Sequence, residues 1–187
     1  MAGTGSVLPF VGTNNSARDI DTIRRALGED TISFFGLSYG SELGTVWATL
    51  FPTTVRALVI DGAVDPNAVG IESNVQQLQG FEAALTAFLD DCAADDECAF
   101  HNDGDPATAF DALMASLDAA PIVGAADRPP VNRDIARTAV SVALYSEDFW
   151  PTLSESLAAA QAGDGSGLLA LFDAYYRREA DGTWGNE

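Results

Sequence analysis

Residues 31–52, "TISFFGLSYGSELGTVWATLFP", decide how this chain is read. An apolar, β-favouring run from Ile32 to Phe35 leads into a serine set between two glycines, and apolar residues at helical spacing then follow as far as Pro52. A short continuous apolar run suits a strand covered on both faces, whereas Leu43, Val46, Trp47 and Leu50 recur as the inward stripe of a helix. Between them, Gly36-Leu37-Ser38-Tyr39-Gly40 matches G-x-S-x-G, the nucleophile elbow. The spacing has a chemical reason. A serine on a strained strand-to-helix turn has its hydroxyl exposed, and the flanking glycines let strand and helix approach without a clash. The next backbone N–H, that of Tyr39, then points toward the developing oxyanion with the helix N-terminal field behind it.

Working outward, "NNSARDIDTIRRALGED" (14–30) places Ile20, Ile23 and Leu27 at helical spacing, with Asn15 or Ser16 as the cap and Gly28 as the stop. Downstream, "VRALVIDG" (55–62) reads as a second buried strand. The order helix, strand, helix, strand with short joints predicts right-handed crossovers in a parallel α/β sheet. After "DGAVDPN" (61–67) the pattern becomes helical and contains no convincing strand, which sets a boundary near residue 66. Val75, Leu78, Phe81, Leu85, Phe88, Leu89 and Cys92 form one stripe, and Phe110, Leu113, Met114 and Leu117 form a second. Ile135, Ala139, Val142 and Ala143 form a third, after a loop at 122–131. Two more helices follow within 149–165 and 166–182, each expected to close with a glycine-bearing turn. The aromatic and methionine stripes read as core packing, not as a cofactor box.

The 187 residues suffice for a real core, and 47% hydrophobic content excludes wholesale disorder. With 28 acidic against nine basic residues, all nine of them arginine, the net charge of −19 opposes a nucleic-acid partner or an anionic membrane surface. No apolar run approaches the length of a membrane span, and the N-terminus has neither the basic nor the long apolar segment of a signal peptide. In "DDCAADDEC" (90–98), three readings of Cys92 and Cys98 compete: a local disulfide, two thiols, or a metal site shared with His101. Zinc normally takes four ligands and no compact fourth is present, so neither a metal nor a cofactor is expected.

Residues 8–66, from "LPFVGTNNS" through the elbow to "VIDGAVDP", resemble the serine aminopeptidases of the tripeptidyl aminopeptidase and proline iminopeptidase type, α/β hydrolases common in actinobacteria. The resemblance continues through "ALYSEDFWPTLSESLAAAQAGD" and "YRREADGTWGNE", and so covers nearly the whole chain. It implies a partial α/β-hydrolase parallel sheet over 1–66, followed by an all-helical lid over 67–187. Ser38 then matches the nucleophile and Tyr39 the oxyanion donor. Cys92 and Cys98 resemble a cysteine pair of the family's lid, which implies a secreted or cell-envelope parent.

A serine needs a base and an orienting carboxylate, which in this fold follow the lid in the order serine, acid, histidine. On that pattern the chain reads as the middle of a hydrolase. An internal triad would have to use His101, the only histidine, with Asp61 or Asp65; but His101 sits in an acidic loop-like stretch, and "DGAVDP" reads equally well as a turn. Two parallel strands alone leave apolar edges open, so association or complementation through those edges is expected. The expected partner is a peptide or small ester, with Glu147 and Asp148 as candidates for a substrate α-ammonium. Serine at the elbow argues against dehalogenase or epoxide-hydrolase chemistry, where an aspartate attacks. The competing reading is a truncated, catalytically inactive binding or assembly product.

Overall fold

A computed structural model describes residues 7–65, 71–179 and 181–185. The chain forms two compact units, residues 1–76 and 77–187. The boundary expected near residue 66 lies outside the described residues.

In the first unit, α1 (Thr13–Ala26), β1 (Ile32–Leu37), α2 (Tyr39–Leu50) and β2 (Val55–Asp61) follow in the expected order. The extended Gly12, not Asn15 or Ser16, caps α1. Gly28 ends it in the left-handed conformation: its N–H bonds the Arg25 carbonyl while the Glu29 N–H reaches Arg24, a Schellman closure. The buried residues of α1 are Ala17 and Asp21, whereas Ile23 and Leu27 are exposed, so the expected stripe is displaced around the helix. Asp21 is tolerated there because Arg24 and Arg25 pair with it at 2.8 and 3.1 Å.

β1 and β2 pair in parallel, with Phe34 opposite Leu58, Gly36 opposite Ile60 and Leu37 opposite Asp61. Helix α2 packs on one face of this pair, its fully buried Trp47 stacked on Phe34 with ring centroids 5.9 Å apart. The approach is close because position 44 is glycine: a Cβ there would lie 2.8 Å from the Phe34 ring. Strand period two sends Phe35 and Leu37 to the opposite face, where they are 64% and 57% exposed. The expectation of strands buried on both faces is therefore corrected. α2 covers one face, and Val59 and Ile60 of β2 are exposed as well. Leu50, expected inward, is also exposed, because the buried stripe of α2 runs through Ser41, Gly44 and Trp47.

The second unit is helical: α3 (Ile71–Ala94, whose start belongs to the first unit), α4 (Pro106–Ala119), α5 (Arg133–Ala143), α6 (Trp150–Gln161) and α7 (Ser166–Tyr176). Asp105 accepts from the Thr108 N–H ahead of α4, with Pro106 in the first turn, and Asn132 accepts from the Ile135 N–H ahead of α5. The stripe of α4 is buried as expected, around a core that includes Phe88, Phe100, Leu153, Leu157 and Leu168. In α3 only the later part of the stripe reaches this core. Phe88, Leu89 and Cys92 are buried while Val75 and Leu78 are exposed. The loop before α5 is stitched by an antiparallel bridge between Ile122 and Val131. Gly163 follows α6 with positive φ as expected, but α7 closes on Arg177 at φ 53°, not on a glycine.

Candidate active site

Ser38 stands between the last residue of β1 and the first of α2 with φ 51° and ψ −120°. A non-glycine residue held there carries strain of about 1–3 kcal/mol, which persists only when its surroundings over-determine it. The surroundings do so. The Ser38 N–H donates to the Asp61 carbonyl at 2.9 Å, tying the turn to the end of β2, and the Ser38 carbonyl accepts from the Ser41 N–H at 2.8 Å.

The two elbow glycines play different parts. A Cβ on Gly36 would lie 2.3 Å from the Gly40 carbonyl oxygen, so any side chain there would force strand and helix apart. A Cβ on Gly40 would meet nothing within 4 Å. The expectation that both glycines are needed for close approach is thus corrected: Gly36 supplies the space, and Gly40 supplies the backbone that fills it.

Two residues that the motif does not name complete the turn. Ser41 is fully buried; its hydroxyl donates to the Ser38 carbonyl at 2.6 Å and accepts from the Val64 N–H at 3.0 Å. Gly62 has φ +62°, and a Cβ there would sit 3.7 Å from the Ser38 nitrogen, so the obstacle to a side chain is conformational rather than steric. A small polar residue in the first turn of α2 and the Asp-Gly pair ending β2 are the sequence signals for this support.

Tyr39 opens α2, and first-turn N–H groups have no intrahelical acceptor, which leaves its amide at the positive end of the helix dipole. Its half-exposed side chain points elsewhere: the hydroxyl lies 3.0 Å from Thr13 Oγ1, at the start of α1. Asp61 enters the site through its main-chain carbonyl, and Asp65 lies exposed a few residues on.

The other candidates belong to the second unit. His101 faces Asp96, with Nε2 3.5 Å from Oδ1. Cys92 and Cys98 are joined as a disulfide with Cα atoms 5.3 Å apart, so the alternative of a metal held by both cysteines and His101 is not formed. Glu147 and Asp148 are exposed in a short helical turn ahead of α6, where Ser146 Oγ accepts from the Asp148 N–H. Glu147 shares a groove of about 420 Å³ with Asp91, Asp95, Glu97 and Glu155. No helix among the described residues is long and apolar enough to cross a membrane.

Comparison with known proteins agrees with this geometry. The family described as the alpha/beta hydrolase fold matches residues 11–167. Serine protease Hip1 of Mycobacterium tuberculosis is 38% identical across 96% of this chain and 36% of its own length. Carboxylesterase B of the same organism is 39% identical across 97% of the chain and 35% of its own length. Tripeptidyl aminopeptidase of Streptomyces lividans is 42% identical across 52% of the chain and 18% of its own length. The chain therefore spans about a third of the length of the relatives that match it end to end. With a matched family region that runs through a glycine-cramped, hydrogen-bonded turn at Ser38, this chain belongs to the α/β-hydrolase family, in the company of serine peptidases and aminopeptidases.

Proposed function

We propose that this chain carries the nucleophile of a serine hydrolase, and that the whole protein cleaves peptides near a free N-terminus through an acyl-enzyme on Ser38. The observation that carries the reading is the conformation of Ser38: a strained residue, pinned on both sides, at the head of a helix. In this mechanism the Ser38 oxygen attacks the scissile carbonyl while its proton passes to a base. The Tyr39 N–H stabilises the oxyanion as charge develops, and the C–N bond breaks as the amine leaves with the proton held by the base. Water, losing its own proton to that base, then releases the acid from the ester and restores the Ser38 hydroxyl. Neither His101, set against Asp96, nor Asp61 nor Asp65 is assigned as base or acid. Residues 67–187 correspond to the family's lid region, with Glu147 in an acidic groove available to a substrate ammonium, and the Cys92–Cys98 bridge suits a secreted or cell-envelope protein.

The peptide reading leans on relatives named as a serine protease and a tripeptidyl aminopeptidase. The relative named carboxylesterase B, matched across 97% of the chain, favours a second reading, hydrolysis of small acyl esters. Rates on tripeptidyl anilides and on p-nitrophenyl esters, measured on the full-length protein, separate the two. For the nucleophile itself, Ser38→Ala is expected to abolish labelling by a fluorophosphonate and to cut turnover by about 10⁶-fold, as loss of a triad serine does elsewhere. Undiminished labelling would remove Ser38 from the mechanism and leave the binding or assembly reading.

A further inference from the structure

In a chain of net charge −19, most grooves are expected to repel anions, and the groove holding Glu147 does so with five carboxylates. A second groove in the helical unit has the opposite character. It is a groove of about 330 Å³ lined by Arg137, Thr138, Ser141 and Tyr145 with Tyr175 and Tyr176, and no carboxylate among the described residues lines it. Its volume lies within the range of small-molecule sites, about 300–1,000 Å³.

The donors here are uncommitted. Elsewhere in the helical unit, Arg128 is clamped by Asp173 and Arg133 pairs with Asp118. Arg137 has no carboxylate in ion-pairing range among the described residues, and the Ser141 hydroxyl has no hydrogen-bond partner among them. Aromatic rings form the walls: Phe81 meets Tyr145 edge to face at 5.3 Å, and Tyr175 meets Tyr176 the same way at 5.0 Å. A guanidinium is a two-pronged donor matched to a planar carboxylate, tyrosine and serine hydroxyls add donors, and ring faces accept an apolar body. Arg137 is the one basic residue among the described residues lining the groove, which suits a monoanion better than a dianion.

From this we infer that the groove around Arg137 binds a small monocarboxylate bearing an aryl or alkyl group, the chemical class that hydrolysis of an acyl bond releases. Arg137 holds the carboxylate, Ser141 adds a hydrogen bond, and Tyr145 and Tyr175 flank the apolar body. The site does not depend on turnover at Ser38, so binding is separable from catalysis.

The test uses the whole chain carrying Ser38→Ala, which removes any acyl transfer at Ser38, so that binding is read apart from the proposed chemistry. Three probes are titrated by calorimetry: N-acetylphenylalaninate, its uncharged amide, and inorganic phosphate. The carboxylate is expected to bind about tenfold or more tighter than the amide, the usual weight of a charge-assisted hydrogen bond. Arg137→Gln on the exposed face of α5 should bring the carboxylate down to the level of the amide, and Ser141→Ala should weaken it several-fold. Arg18→Gln, on the first unit, should change nothing. Equal binding of acid and amide, an Arg137→Gln variant that binds the acid as before, preference for phosphate, or no saturable binding each overturns the assignment. Circular dichroism of each variant confirms that the helices are retained.

Discussion

The two units of this chain solve the same problem differently. The helical unit satisfies each backbone inside its own helices and turns the stripes of α4 to α7 on one another, which gives it a closed core from Phe88 to Leu171. The first unit has two parallel strands, and parallel strands expect helices on both faces; α2 covers one, and Phe35, Leu37, Val59 and Ile60 stand exposed on the pair. The region that carries the chemistry is thus the one with the thinner core, and it holds Ser38 by local means: glycine space, backbone bonds and one buried hydroxyl. The contrast separates two sources of order, packing in one unit and tight turn geometry in the other.

If that contrast holds, a methyl or larger group in the tight spot should damage one unit and spare the other. Gly36→Val should destabilise the first unit by about 3 kcal/mol or more, because the added carbon collides with backbone rather than a yielding side chain. Peptide-resolved hydrogen exchange checks it, with loss of protection expected in β1 and α2 and little change from α4 to α7. Collapse of both units together would break the distinction.

The converse change acts on the packed unit. Removing the disulfide by Cys92→Ala with Cys98→Ala should destabilise it by roughly 2 kcal/mol, the chain-entropy value for so short a loop. Chemical denaturation followed by exchange at α3 and α4 reads this, and an equal effect on β1 and β2 would count against independent units. A smaller effect is expected from Ser41→Ala. The Val64 N–H loses its acceptor and the Ser38 carbonyl loses a donor, at a cost of about 1–2 kcal/mol confined to the first unit. Loss of fluorophosphonate reactivity beyond that of stability would show that the hydroxyl sets the geometry of the turn.

The smallest effect concerns Asp164, whose carboxyl is held below its ordinary range by hydrogen bonds from the Ser166 backbone and side chain at the start of α7. Because the folded value is lowered, the stabilisation is present above the unfolded carboxylate range and is lost as pH falls through the folded one. Asp164→Asn should therefore open the first turn of α7 slightly at neutral pH and match the parent chain in acid, by amide exchange at Leu168 and Leu169.

These contrasts also explain what was legible in the sequence. Elements with steep patterns were: β1, α2 and β2 in order, the buried stripe of α4, and the serine at the turn, since glycine placement and helical period are local properties. Which face of α1 is buried was not, because Ile23 and Leu27 outrank Ala17 in hydrophobicity while the close approach of two helices favours the small residue. Exposure of Phe35 and of the start of α3 is a tertiary fact that no residue pattern carries. At the site, the pentapeptide names the serine but treats its glycines as equals and says nothing of Ser41 or Gly62, whose work is done across the gap between β2 and α2.

Ser41 also changes what the motif means when it is used as a search pattern. Five letters describe where a chain can bend; the sixth, in "GLSYGS", describes whether a side chain also fastens the bend to the segment that follows the neighbouring strand. A chain with alanine at that place is expected to keep the backbone tie from the serine N–H and to lose the side-chain one. Sorting sequences by that one letter, before any assay, divides corners held by backbone alone from corners that a side chain also latches.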